Sequence, residues 1–274
     1  MSSPSEREAA VPGLYDFISL FFVAPSFGKY RDIHYQMNTP HNTHDTLAQL
    51  ARAREDDVLL DAGCGQGSSV RWLSKNIGCK IDALTIGKRE ARLVERLVKK
   101  KEYRGRIRAL QGNMLDTKLP NESYSVVWAI ESMCHIEDKL AFLRESYRVM
   151  KPGGRLVIAD IFLTEKYGEV EDKDEYEHFC DGTFVPRLVS KQDFIGMLDD
   201  AGFRNIRYED YSQVISKNVR TREIGGWSNY ILFFPLIVLR LFPRLLTTNY
   251  QAMIAQGKFF RHNKFSYGIV YAEK

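Results

Sequence analysis

The chain has no apolar run long enough to cross a membrane. Its longest uncharged stretch, Ile224 to Leu239, contains Gly225, Gly226, Ser228, Asn229 and Pro235. It falls short of the roughly 20 apolar residues that a spanning helix needs. The opening Met-Ser-Ser-Pro-Ser-Glu-Arg-Glu lacks the basic-then-apolar pattern of a secretory signal. There is no C-x-x-C pair; Cys64, Cys79, Cys134 and Cys180 lie far apart and read as reduced thiols of an intracellular protein. A net charge of +4 is too mild to indicate a nucleic-acid partner. Repeats and low-complexity segments are absent. The expected location is cytoplasmic, with peripheral membrane contact and homo-oligomerisation left open. With 274 residues, 44% of them hydrophobic, the chain suits one large domain, or one domain with an insert.

What stands out is Val58-Leu59-Leu60-Asp61-Ala62-Gly63-Cys64-Gly65-Gln66-Gly67. An apolar run ends in a carboxylate, and three glycines follow at alternate positions. The run reads as a buried parallel strand, and the glycines as a tight turn whose backbone approaches a ligand closely. The pattern is D-x-G-x-G-x-G, distinct from the dinucleotide fingerprint G-x-G-x-x-G. Downstream, apolar strands are expected at Lys80–Ile86, Ile107–Gln111, Ser125–Ile130, Arg155–Asp160, Asn205–Tyr211 and Phe265–Ala272. Helices are expected at Thr46–Ala53, Ser69–Ile77, Lys88–Lys101, Lys139–Met150 and Lys191–Ala201. Alternating strands and helices predict an α/β, doubly wound, mostly parallel sheet.

The expected organisation follows. Residues 1–44 form a tail (1–12) and a helical cover, 45–211 the core with a substrate-side insert over 161–190, 212–264 an apolar insert, and 265–274 a last core strand. In open α/β sheets, ligands sit beyond the carboxyl ends of the strands. That rule selects Asp61, Gly63, Gly65 and Gly67, then Gly112-Asn113-Met114, then Ile130-Glu131-Ser132-Met133-Cys134-His135.

These segments resemble those of class I S-adenosylmethionine (SAM)-dependent methyltransferases. The resemblance implies a Rossmann-like, seven-stranded sheet with an antiparallel last strand and a helical cap over the ligand end. It implies SAM as cofactor, S-adenosylhomocysteine as product, and no metal. By the same resemblance the glycine loop holds the methionyl part of SAM. Asn113 and Met114 meet adenine, and Ile130 and Glu131 flank the methionyl group. Many members carry a carboxylate at the end of the second strand for the ribose hydroxyls. Here that strand ends Leu84-Thr85-Ile86-Gly87, which leaves Thr85 or backbone groups to do this work.

Trp128-Ala129-Ile130-Glu131-Ser132-Met133-Cys134-His135 is similar to the Tyr-Ala-Ile-Glu-Ala-Thr-Cys-His segment of sterol side-chain methyltransferases. Cys180-Asp181-Gly182-Thr183-Phe184-Val185-Pro186 lies where that group has a Gly-Asp-Gly-Ile-Pro-like segment. The ending Tyr267-Gly268-Ile269 resembles that of tocopherol-type enzymes. The implied reaction is C-methylation of a lipophilic isoprenoid or sterol-like alkene; O- or N-methylation of a phenol or amine is the other enzymatic reading. The third reading, a non-catalytic SAM- or lipid-binding partner subunit, draws on the missing ribose carboxylate. No Asn/Asp-Pro-Pro-aromatic motif follows the fourth strand, against a nucleic-acid substrate.

Methylating an alkene leaves a carbocation, so the chemistry asks for aromatic faces, a carboxylate and a base. Glu131 and His135 are the candidate catalytic pair, against the plainer roles of methionyl contact and loop histidine. Tyr15, Phe17, Phe22, His178, Trp227 and Tyr230 are the candidate substrate contacts, against plain packing. Asp181 is a weaker catalytic candidate. The apolar stretch 224–246, interrupted by Pro235 and Pro243 and flanked by Arg240 and Arg244, suits a lid, a membrane contact or a subunit interface. Lys258, Arg261, His262 and Lys264 suit either a diphosphate or a solvated basic face.

Overall fold

The computed structural model describes residues 3–23, 42–167, 173–239 and 244–274, excluding the side chains of 14–23, 222, 237, 238 and 244–246. The strands are β1 (Val58–Ala62), β2 (Lys80–Thr85), β3 (Ile107–Gln111), β4 (Tyr124–Ile130), β5 (Met150–Leu163), β6 (Arg204–Asp210) and β7 (Phe265–Glu273). They form one sheet in the order β3-β2-β1-β4-β5-β7-β6. β1 to β5 pair in parallel, whereas β7 runs antiparallel to both β5 and β6. The helices are α1 (Pro4–Val23), α2 (Thr43–Leu50), α3 (Ser68–Asn76), α4 (Lys88–Val98), α5 (Lys139–Val149), α6 (Lys173–Thr183), α7 (Lys191–Asp200), α8 (Ser216–Val238) and α9 (Arg244–Arg261). The Rossmann-like sheet with its antiparallel last strand is as expected.

The pleat sends alternate side chains to two cores. Leu59, Val126, Trp128 and Val157 join α2, α3, α4, α6 and α9 on one face. Leu60, Val127, Ala129 and Leu156 join α5 and α7 on the other. Helix α2 starts at Thr43, three residues before the expected Thr46. Asn42 and Asp45 form a reciprocal capping box there, a signal that outranks the apolar periodicity. β5 starts at Met150, so the Pro152-Gly153-Gly154 run lies inside the strand. Its pairing with β4 shifts register between Tyr124 and Val126, and this irregularity absorbs the proline and glycines.

The amino-terminal segment departs from the tail expected over 1–12, because α1 begins at Pro4. Arg7, 3% exposed, fixes it. Its guanidinium donates to Asp181 Oδ1 (2.9 Å), to Glu177 and to the Pro186 carbonyl (3.3 Å). Glu8 accepts from the Glu137 amide at 3.1 Å, and α1 also packs against α4. The helix thus lies across elements at the ligand end of the sheet.

β6 runs in the sense of the parallel strands, so its carboxyl end also faces the ligand side. The α8–α9 hairpin that joins it to β7 starts there. α9 packs between α6 and α8. α8 continues through Pro235 instead of breaking at it. Arg240 and Pro243 lie outside the described residues, as does the side chain of Arg244. No helix among the described residues is long and apolar enough to cross a membrane.

Removing one partner of a buried ion pair leaves the others uncompensated. Arg7→Ala is expected to release α1 while the sheet stays folded. Hydrogen exchange checks this: amides of residues 4–13 lose protection by more than about tenfold, and those of β1, β4 and β5 keep theirs.

Candidate functional site

Near the end of β1 lies Asp61, which is 1% exposed and sits in register beside Trp128 of β4. The chain then turns through Gly63, Gly65 and Gly67, with φ of 91°, 51° and 80°. Gly63 has a second reason to be glycine. A Cβ there would lie 2.3 Å from Ser132 Cβ, so the turn and the loop after β4 touch backbone to side chain. Ser132 Oγ donates to the Ala62 carbonyl at 2.7 Å and fixes that contact.

The loop after β2 closes the next side. Thr85 Oγ1 donates to Glu90 Oε2 at 2.7 Å. Glu90, in the first turn of α4 and 3% exposed, has its other oxygen 3.6 Å from where a Gly65 Cβ would stand. A carboxylate therefore occupies the gap between the glycine turn and the end of β2, supplied from five residues beyond Thr85. The sequence reading missed it. The usable signal was an acidic residue in a first helical turn, immediately after a glycine at the strand's end.

Asn113 is exposed, and its side-chain oxygen accepts from the Leu115 amide at 2.9 Å. Met114 reaches toward Gly63; its Cε lies 3.4 Å from where a Cβ there would stand. Ile130 is a core residue, 9% exposed. The structure thus gathers Asp61, Gly63, Gly65, Thr85 and Met114 around the turn after β1. Gly67 is the N-cap of α3, and a Cβ there would meet Val94.

At the end of β4, Glu131 adopts φ 47°, a strained value for a non-glycine residue. Its amide still donates to Ala159 O at 2.8 Å, while its carboxylate accepts from Tyr267 Oη at 3.0 Å. Tyr267 is fully buried in β7, 136 residues away, and sequence reasoning did not pair the two. The kink leads into a single 3₁₀ turn, Met133–His135. His135 Nδ1 lies 3.3 Å from Phe184 O. A carbonyl only accepts, so Nδ1 carries the proton and Nε2 the lone pair. Burial drives the His135 pKa down to about 4, so the ring is neutral. Asp160, at the base of this turn, accepts from the Cys134 and Ile161 amides at 3.0 and 2.8 Å. Burial raises its pKa to about 6.

Beneath the glycine turn lies His44, 2% exposed, another residue the sequence reading passed over. It stacks on Trp72 at 5.6 Å and approaches Trp128 at 6.0 Å. Its Nε2 meets Ser69 Oγ at 3.3 Å. Burial lowers its pKa to about 4.

The expected substrate contacts scatter. Tyr15, Phe17 and Phe22 fall on α1, with side chains outside the described residues. His178 is on the exposed side of α6. Trp227 is 46% exposed on α8, and Tyr230 lies against Phe234 with ring centres 6.3 Å apart. Asp181 is engaged by Arg7, Lys258 by Glu175, and Arg261 by Glu223. Among the described residues no group of three His, Cys, Asp or Glu side chains is placed to hold a metal.

Two features fit a cationic, nucleoside-bearing ligand. Asp61 Oδ2 is buried without a hydrogen-bond partner, and Glu90 sets a second carboxylate between the glycine turn and the end of β2. Residues 60–158 match the methyltransferase domain family. This part of the core resembles a SAM-dependent methyltransferase domain.

The chain is 25% identical over 258 residues to 24-methylenesterol C-methyltransferase 3 of Arabidopsis thaliana, covering 88% of this chain and 72% of that protein. It is 28% identical over 186 residues to the O-methyltransferase cnsE of Penicillium expansum, covering 68% and 66%. It spans 45–72% of the lengths of these and other curated relatives. A crystal structure of a putative sarcosine dimethylglycine methyltransferase from Galdieria sulphuraria shares the fold, with a TM-score of 0.75 at 18% identity. That match covers 93% of this chain and 97% of the other.

Burial raises the Asp61 pKa from 3.8 to about 7, with Trp128 opposing. A raised carboxyl pKa penalises folding as pH climbs from about 4 to about 7, by the order of 4 kcal/mol above that range. A bound sulfonium or ammonium offsets this cost, so binding draws the proton off. SAM affinity is expected to rise about tenfold per pH unit below about 7 and to level off above it. Calorimetry across pH checks this, and Asp61→Asn should flatten the profile.

Proposed function

We propose that the protein transfers the methyl group of SAM to carbon on a lipophilic, isoprenoid or sterol-like alkene. The relatives include both C- and O-methyltransferases, so this resemblance does not choose between acceptors. The observation that carries the choice is the setting of His135, whose Nδ1 faces the Phe184 carbonyl at 3.3 Å and whose burial makes it a weak, neutral base. A phenol or amine acceptor asks for a base with a pKa near the working pH. An imidazole held near 4 is poor at that task. A carbocation formed on an alkene has strongly acidic neighbouring protons, and a weak, neutral base takes one readily.

Asp61, Glu90, Thr85, Met114 and the Gly63 turn would hold SAM, which supplies an electrophilic methyl on a cationic sulfur. Asp61 would face a positive group, and Glu90 with Thr85 the ribose hydroxyls that a carboxylate at the end of β2 serves elsewhere in the family. Glu131, oriented by Tyr267, would stabilise positive charge that develops on the acceptor. His135 Nε2 would remove the final proton. Tyr15, Phe17 and Phe22 of α1 remain the proposed apolar contacts on the acceptor side.

The deciding experiment incubates the protein with methyl-labelled SAM and a panel of sterols, prenyl diphosphates, tocopherol precursors, phenols and amines. A product carrying the label on an alkene-derived carbon is expected; transfer confined to phenols or amines overturns the acceptor reading. At saturating SAM, kcat should stay level down to about pH 5 and fall below it as His135 protonates. Glu131→Gln should lower kcat by about 10²-fold or more with SAM affinity kept. An equal loss of affinity would make Glu131 a cofactor ligand. Tyr267→Phe should give a smaller kcat loss in the same sense.

A further inference from the structure

The outer face of α8 points away from the molecule. Its inner face packs on α9, where a Cβ on Gly226 would lie 3.0 Å from the Tyr250 carbonyl and 3.1 Å from Met253 Cβ. Glu223, also on the inner side and 8% exposed, pairs with Arg261 of α9. On the other side, Ile224, Trp227, Ile231 and Phe234 recur at three- and four-residue intervals and are 57%, 46%, 67% and 51% exposed. Leu232 and Leu239 widen the stripe at 69% and 64%. Monomeric soluble proteins rarely leave so continuous an apolar face in water.

Charge identifies the occupant. One and two turns before the stripe, Arg220 and Lys217 are exposed and fall on the same side of the helix by the 3.6-residue period. From Ile224 to Arg261 the sequence contains no Asp or Glu. Trp227 sits between the cations and the fully apolar part of the stripe, the position that amphipathic rings take at a lipid–water boundary. A second copy of this face would bring apolar surface but no carboxylates to meet the cations. A surface of acyl chains beneath anionic headgroups supplies both.

We propose that the exposed face of α8 is a membrane-docking surface that lies in the interfacial layer of an anionic bilayer. The stripe enters the acyl boundary while Lys217 and Arg220 meet headgroup phosphates. The helix belongs to the α6–α9–α8 stack beside the ligand end of the sheet. Docking there brings the cleft to the phase in which a lipophilic acceptor dissolves. The acceptor reading supplies the purpose of this surface, and none of the observations that define it.

Sedimentation of the full chain with vesicles, without SAM or acceptor, tests the surface separately from the chemistry. Vesicles of phosphatidylcholine with roughly a quarter phosphatidylglycerol should carry the protein down. Pure phosphatidylcholine should carry at least about fivefold less, and added salt should narrow the difference. Ile231→Gln with Leu232→Gln replaces two exposed residues by good helix formers. The pair should weaken vesicle binding about tenfold or more while leaving SAM binding and the melting temperature in place. Lys217→Gln with Arg220→Gln should remove the preference for the anionic vesicles. Sedimentation with neither vesicle, or binding unchanged in the Ile231/Leu232 variant, overturns the proposal. So does a dimer in sedimentation equilibrium that the same variant dissociates, because the face would then belong to a second copy.

Discussion

The structure depends on the reversal of the chain after Asp61. A carboxylate is buried there beside an indole, and the backbone must turn in a space where Gly63 already touches Ser132. Each consequence of that contact is local and steric. β1 cannot continue, α3 must begin directly after Gly67, and the loop after β4 must lie against the turn. Ser132 seals the two together through the Ala62 carbonyl. The cleft end is therefore set by backbone proximity, and the side chains around it are placed by the strands that carry them.

Burial gives the groups around this turn an unusual electrostatic character. His44 and His135 are both held neutral, with pKa values near 4. Asp61 and Asp160 are pushed toward 7 and 6. All four shifts have desolvation as their first cause. A site of this kind resists gaining charge from water and responds strongly to charge brought in by a ligand. A cation entering it meets carboxylates that pay for ionisation in its absence, and imidazoles that do not repel it.

Most of the sheet was legible because strand alternation is a local signal. Leu59, Leu60, Val126 and Val127 divide between the two cores as a period of two requires, and β3 spans Ile107–Gln111 as expected. Boundaries moved where a short polar device outranked the apolar pattern, as with the Asn42–Asp45 box and the register shift that places Pro152 inside β5. The glycine turn was legible for a similar reason, since alternate glycines state a backbone requirement directly. What stayed hidden is non-local. Tyr267 meets Glu131 across 136 residues, and Arg7 meets Glu177 and Asp181 between α1 and α6. Glu90 was hidden differently: the carboxylate that lies beside the end of β2 comes from the following helix. The outward face of α8 was not legible because composition alone does not tell which face of a helix its neighbour covers. Once Gly226 draws α8 onto α9, Trp227 must face outward.

The cap and the proposed chemistry constrain each other. A carbocation survives only where water is kept away until a base removes its proton. A weak base such as His135 suits that task only if water does not compete with it. The ion pairs of Arg7 therefore bear on chemistry as well as on stability. They hold α1 against α6, whose following segment supplies Phe184 O to orient His135. A displaced α1 would uncover the segment through Pro186, whose carbonyl Arg7 also holds. The buried cation in α1 and the neutral histidine after β4 are in this sense parts of one device. The first keeps in place the segment that fixes the tautomer of the second, and that tautomer puts the lone pair on Nε2, where the proposed reaction would need its proton acceptor.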